Sequence, residues 1–186
     1  MTKPVVLASA SPRRKEILEK AGLKFTADAS EVEEKLDENM DPAELAISIS
    51  LMKAESARAR HQGSIIIAAD TLGVLDGSLL AKPGDAAHAR KMLSSMSGKC
   101  HEVITGFTIM DSDTGRTTSL AVRTLVHFKV LSERQIDEYV KSGEPLGKAG
   151  AYAIQGSGAD LVDKIEGDYY NVVGLPVYAL AGELAG

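Results

Sequence analysis

The sequence predicts an α/β or α+β fold in which a mixed β-sheet is flanked by helices. Residues 64–71 hold a continuous apolar run, which is typical of a strand covered on both faces. Residues 122–130 alternate apolar and polar side chains, as in an antiparallel ribbon with one buried face. Helix-start signals precede and follow these segments, so strands and helices are interspersed along the chain.

Composition bounds the class of protein. The 186 residues are compatible with one domain over 1–186, and their net charge of −5 argues against a non-specific nucleic-acid binder. Cys100 is the single cysteine, which favours a reducing, cytoplasmic location without a disulfide. We expect no signal peptide and no membrane association, because no run approaches the ~20 apolar residues that a spanning helix needs.

The first half of the chain predicts five elements. A short strand ends at Leu7, and a helix begins after Ser11, which is a good N-cap, with proline at the first helical position and Gly22 as its stop. Residues 25–27 form a short strand. A long helix begins after Asp41 and ends near residues 61–63, and the buried strand 64–71 follows.

The second half begins with the hairpin signal Asp76-Gly77 and ends in a glycine-dense segment over 147–174. Glycine at that density implies sharp turns and close backbone approach, with polar side chains between that could meet a ligand. The other predicted elements are a helix over 86–95 capped by Asp85, strands over 101–110 and 122–130, a helix from the capping box at Ser132 to 142–143, and a final helix over 177–184.

Two arginines stand in the first turn of the first helix, where the helix dipole disfavours cations. Arg13 and Arg14, with Ser9 and Ser11 and the free N–H groups of the helix end, could bind a phosphate there. The alternative is a pair of solvated arginines on an exposed helix end.

A carboxylate follows the buried strand. Asp70 and Thr71 would lie at the carboxyl end of that strand, where open α/β sheets bind ligands; the alternative is a turn that closes the strand. Lys53 lies beside the apolar face of the long helix and could reach inward, although an exposed lysine is the commoner outcome. The acidic stretch 30–39 is either a solvated loop or brings Glu33 or Glu34 to the site.

The residues indicate a reaction class by their chemistry. The sequence has no phosphate-binding loop of the GxxxxGK[ST] type, no GxGxxG motif and no metal-ligand spacing among its histidines. Lys82 and Lys148 add further cations, and cations neutralise a polyphosphate. Carboxylates hold Mg²⁺ and accept a proton from an attacking water, so the set suits hydrolysis of a nucleoside triphosphate.

Ordered motifs resemble the Maf (septum formation) family of nucleoside triphosphate pyrophosphatases over nearly the whole chain. They are Ser9-Ala10-Ser11-Pro12-Arg13-Arg14, Ala69-Asp70-Thr71, Lys82-Pro83, Ser97-Gly98, His101-Glu102-Val103-Ile104-Thr105-Gly106, the segment from Lys148 to Gly156 and the segment from Gly167 to Pro176. The resemblance implies a mixed twisted sheet with flanking helices, in two lobes around a cleft and similar to inosine triphosphate pyrophosphatases. It also implies a homodimer.

The resemblance further implies cleavage between the α- and β-phosphates with Mg²⁺ or Mn²⁺, and Asp70 matches the general base. The positions that match phosphate or metal binding in the family are Ser9, Arg13, Arg14, Glu33, Lys53 and Lys82. Glu33 and Asp70 match the metal-binding positions.

Three positions divide the family by substrate. Arg13, Thr71 and Gln155 match the branch that resembles dTTP and UTP pyrophosphatases, whereas the branch that prefers 7-methyl-GTP typically carries Trp, Gln and Glu there. The Gln155 amide offers a donor and an acceptor for a uracil edge. The alternatives are a pyrophosphatase for another modified nucleotide and a nucleotide-binding regulator of cell division.

Overall fold

A computed structural model describes residues 3–29, 32 and 40–185 of the chain. It contains a seven-stranded mixed sheet with the strand order β2-β1-β3-β5-β6-β7, and β4 pairs with β3. The strands are β1 Val5–Leu7, β2 Thr26–Ala27, β3 Ile65–Leu75, β4 Ser78–Leu79, β5 Cys100–Asp111, β6 Thr117–Phe128 and β7 Val162–Glu166. The helices are α1 Pro12–Lys20, α2 Pro42–Arg58, α3 Ala86–Met96, α4 Glu133–Lys141, α5 Tyr169–Val173 and α6 Val177–Ala185, with short 3-10 helices at Ala149–Ala151 and Ser157–Leu161.

Strand directions confirm the mixed sheet. β1 runs parallel to both β2 and β3, whereas β4 is antiparallel to β3 and β7 is antiparallel to β6. The predicted class, a mixed α/β fold with flanking helices, is therefore confirmed. The similarity to inosine triphosphate pyrophosphatases stays a prediction.

The chain forms two compact units. Unit 1 comprises Met1–Thr71, Ile104–Val122 and Tyr170–Gly186, and unit 2 comprises Leu72–Val103 and Arg123–Tyr169. The prediction of one domain over 1–186 stays a prediction. None of the helices in the described part of the chain is long and apolar enough to span a membrane.

In unit 1, α2 packs on the sheet through small side chains. Ala54 and Ala57 of the helix are fully buried in one cluster with Val6, Ile66 and Met110. The approach is closest at Gly106, where a Cβ would lie 2.3 Å from the backbone carbon of Ala46. Only glycine leaves room for the helix there.

Unit 2 has an aromatic cluster and two capped helices. His101, Phe128 and Tyr152 meet edge to face with ring centroids 4.8–5.4 Å apart. Asp85 accepts a hydrogen bond from the N–H of His88 at the start of α3. At the start of α4, Ser132 forms the complete capping box that the sequence predicts.

Two predictions about strands are wrong. Asp70 does not end its strand, because β3 continues to Leu75, where its last residues pair with β4 in the predicted hairpin. Val130 does not belong to the buried face of β6, because that strand ends at Phe128; its side chain is 85% exposed.

Candidate active site

Asp70 forms a close ion pair in the middle of β3. Its Oδ1 accepts a hydrogen bond from the Lys53 ammonium of α2 at 2.6 Å, and the two side chains are only 11% and 12% exposed. Lys53 therefore reaches inward, which the sequence left open. A carboxylate must be ionised to accept a proton, and a neighbouring ammonium in general favours that form.

The Arg14 guanidinium lies in a second polar network of unit 1. It donates to the carbonyl of Gly174 at 2.8 Å, to Ser9 Oγ at 3.2 Å and to Thr71 Oγ1 at 3.0 Å. Ser11 caps α1 as predicted, by accepting from the N–H of Arg14. These contacts explain the unusual position of a cation at a helix start, because the Arg14 guanidinium donates to a carbonyl and two hydroxyl groups.

Thr71 joins this network to the interior. Its hydroxyl lies 3.0 Å from the hydroxyl of Thr105, which is fully buried and donates to the carbonyl of Asn171. Gly174 has a φ of +125°, which disfavours any side chain at the turn that supplies the carbonyl for Arg14. Thr105 and Gly174 lie within the family motifs of the sequence, but the residue pattern alone indicates no role for either of them.

Arg13 has a different environment from its neighbour. Its side chain is half-buried and has no hydrogen-bond or ion-pair partner within residues 3–29, 32 and 40–185. A guanidinium in that condition is available to an anion.

The remaining predicted site residues lie elsewhere in the chain. Lys82 is exposed in the segment after β4, and Gln155 is half-buried in a bend between the two 3-10 helices; both belong to unit 2. Glu33 lies outside the described residues, as do its neighbour Glu34 and most of the acidic stretch. Unit 1 thus contains Ser9, Arg13, Arg14, Lys53, Asp70 and Thr71.

The described residues would hold a divalent metal ion by few side-chain ligands of their own. The described residues contain no group of three or more His, Cys, Asp or Glu side chains that could enclose a metal. Mg²⁺ commonly takes one or two protein carboxylates and completes its shell with phosphate oxygens and water. Asp70 would be one such carboxylate if a metal ion is bound.

The whole chain matches one family. A family model described as Maf-like protein covers residues 4–186. The chain belongs to the Maf-like protein family. This confirms the family resemblance of the sequence motifs.

Curated Maf-like relatives cover nearly the same length. A Bacillus cytotoxicus protein named dTTP/UTP pyrophosphatase is 47% identical over 182 residues, which cover 98% of this chain and 94% of the relative. Proteins with the same name from Bacillus cereus and Bacillus mycoides are each 45% identical, over 98% and 97% of this chain and 89% and 93% of their own lengths.

Proposed function

We propose that this protein is a nucleoside triphosphate pyrophosphatase that hydrolyses dTTP and UTP to the nucleoside monophosphate and pyrophosphate. The observation that carries the proposal is the buried Lys53–Asp70 pair, in a chain whose relatives at 45–47% identity bear the name dTTP/UTP pyrophosphatase. Arg13, Thr71 and Gln155 also match the pyrimidine branch of the family at all three discriminating positions.

In the proposed reaction, Asp70 takes a proton from a water molecule as the water oxygen bonds to phosphorus. The anhydride bond between the α- and β-phosphates breaks, and pyrophosphate leaves with the bridging oxygen. Lys53 keeps the Asp70 carboxylate oriented through their 2.6 Å contact. Arg13, Arg14, Ser9 and Lys82 bind the phosphate oxygens.

A divalent cation, Mg²⁺ or Mn²⁺, belongs to this proposal. Asp70 would hold it together with Glu33, which is assigned by the family resemblance. When bound, the cation neutralises charge on the triphosphate.

A nucleotide panel tests the proposal directly. With Mg²⁺ or Mn²⁺ present, dTTP and UTP should release pyrophosphate and monophosphate faster than CTP, GTP or 7-methyl-GTP. A preference for 7-methyl-GTP or another modified nucleotide would favour the alternative, a pyrophosphatase for that modified nucleotide. Tight dTTP binding without released pyrophosphate would favour a nucleotide-binding regulator.

Asp70→Asn tests the proton acceptor. Loss of a general base should lower kcat by about 10²–10⁴-fold while the fold is kept. Asp163→Asn, which alters an exposed aspartate of β7, is the matched control and should retain the wild-type rate. Turnover of dTTP by Asp70→Asn at the native rate would refute the assignment.

Gln155→Glu tests base selection. The carboxylate keeps an acceptor but loses the amide donor. The rates of dTTP and UTP hydrolysis should therefore fall relative to the rates for the other nucleotides. Unchanged relative rates would remove Gln155 from this role.

The cytoplasmic location and the homodimer are also proposals. The first is supported by the single cysteine and the second by the family resemblance. Light scattering of the purified protein would test the dimer, and cell fractionation the location.

A further inference from the structure

Glu144 is the centre of a hydrogen-bond cluster in unit 2 that the proposed reaction does not use. Its Oε2 accepts from the Ser157 hydroxyl at 2.7 Å and from the Ser157 N–H at 3.2 Å. Its Oε1 accepts from the Gly158 N–H at 3.1 Å and from the Tyr139 hydroxyl at 3.0 Å. One carboxylate thus satisfies four donors, three of them from two consecutive residues.

Tyr139 extends the cluster to the other side of Gln155. Its hydroxyl accepts from the N–H of Ala153 at 3.2 Å while it donates to Glu144, and its ring is buried on α4. Ala153 precedes Gln155 by two residues, and Ser157 follows it by two. The Glu144–Tyr139 pair therefore fixes the backbone on both sides of Gln155.

The segment between these anchors is folded tightly on itself. Gly156 has a φ of +93°, and a Cβ there would lie 3.0 Å from Glu144 Oε2. A Cβ on Gly158 would lie 2.2 Å from the carbonyl oxygen of Ala153. Two glycines thus permit a bend that Glu144 holds closed.

The Gln155 side chain takes no part in this scaffold. Within the described residues its amide has no hydrogen-bond partner, and the residue is half-buried. A fixed backbone that carries an uncommitted amide is the arrangement expected of a residue that recognises a ligand, because the cost of ordering the segment is met before binding.

Charge supports the same picture. Burial raises the pKa of Glu144, but the hydrogen bonds from Ser157, Gly158 and Tyr139 outweigh burial and leave the pKa below its ordinary value of 4.5. The carboxylate is therefore ionised at neutral pH, and its hydrogen bonds are of the stronger, charge-assisted kind.

We propose that Glu144, together with Tyr139, is a positioning residue for nucleotide selection: it sets the place from which Gln155 meets the pyrimidine base, without touching the substrate itself. This inference rests on the proposed function and adds to it the residues that hold the specificity side chain in place.

Glu144→Gln is the first test. Whichever way the new amide turns, its NH₂ group faces either the donors of Ser157 or those of Gly158 and Tyr139, so one side of the cluster opens. Loss of charge-assisted hydrogen bonds on that side should raise KM for dTTP and UTP about tenfold. The kcat should change much less, because Asp70 and Lys53 are unaltered, and the preference for dTTP over CTP should fall.

Glu138→Gln is the matched control, because it makes the same change at an exposed residue of α4 whose side chain, within the described residues, pairs only with Arg134. It should keep wild-type KM and selectivity. Ser157→Ala removes a single bond to Glu144 and should reproduce a smaller rise in KM; it decides the question if Glu144→Gln does not fold.

A double-variant cycle separates positioning from general damage. In a Gln155→Ala background the preference for dTTP over CTP is already reduced, so adding Glu144→Gln should reduce it no further. Additive losses of selectivity, or an equal fall of kcat for all nucleotides at constant KM, would overturn the inference. If the wild-type protein released no pyrophosphate from dTTP or UTP, it is the proposed function that would fail.

Discussion

His101 should make the protein sensitive to mild acid. It is buried in unit 2, where its Nε2 lies 2.8 Å from the Tyr152 hydroxyl and its Nδ1 has no hydrogen-bond partner within the described part of the chain. Protonation would give both nitrogens an N–H group, and the one on Nδ1 would have no acceptor. Burial, with a smaller contribution from His127, lowers the pKa of His101 from 6.5 to about 4.

The sign and size of the effect follow from linkage. Between pH 6.5 and 4 the unfolded chain binds a proton at this histidine and the folded chain does not, so stability is full above pH 6.5 and falls as the pH falls. At about 1.4 kcal/mol per pH unit, the loss reaches about 3 kcal/mol by pH 4 and then levels off.

Urea unfolding at half-unit intervals from pH 7.5 to pH 4, compared with His101→Gln, isolates this effect. At pH 7 the variant should have a lower free energy of unfolding than the wild type. Its free energy of unfolding should fall less steeply as the pH is lowered, because glutamine does not titrate. His88→Gln, which alters an exposed histidine of the same unit, should keep the wild-type slope. Identical slopes for wild type and His101→Gln would refute the reasoning.

Three further substitutions test packing and capping through the free energy of unfolding. Thr105→Val should cost about 1–3 kcal/mol, because it takes a buried hydroxyl from Thr71 and from the carbonyl of Asn171. Gly106→Ala should cost about 3 kcal/mol or more, since its Cβ would overlap the backbone of α2. Ser132→Ala should cost about 1 kcal/mol by removing the cap of α4. Urea unfolding measures all three. A wild-type free energy of unfolding in any variant would contradict the contact or the close approach on which its prediction rests.

Local features of the fold could be predicted from the sequence because their causes are local. Ser11 and Ser132 cap their helices as expected, and Gly22 follows the end of α1 with a φ of +75°. The Asp76-Gly77 turn has positive φ at both residues, which is the conformation that this dipeptide favours.

The limits of β3 could not be predicted because they depend on a partner strand. Asp70 and Thr71 interrupt the apolar run, and that interruption predicts the end of the strand. In the structure, pairing of Val74 with Leu79 extends the strand beyond it. Backbone hydrogen bonding to a neighbouring strand outweighs the local change in polarity.

The candidate site was predictable as a set of residue types but not as a set of contacts. The sequence places Lys53 beside the buried face of its helix. Its pairing with Asp70 depends in addition on how α2 packs against β3, which the sequence pattern does not define. Glu144 gave no signal of its own, because three of its four donors come from residues 13 and 14 positions later. A charged residue just before a glycine-dense segment is the pattern that would have pointed to it.

The Arg14 contact with Gly174 spans 160 positions of the chain and has a consequence for biosynthesis. Ser9, Arg14, Lys53 and Asp70 leave the ribosome well before Gly174, whose carbonyl orients Arg14. Until then the nascent chain carries the chemical groups of the site without their final arrangement. Competence for catalysis should therefore be acquired only after Gly174 has emerged, although the other groups of the site are made much earlier.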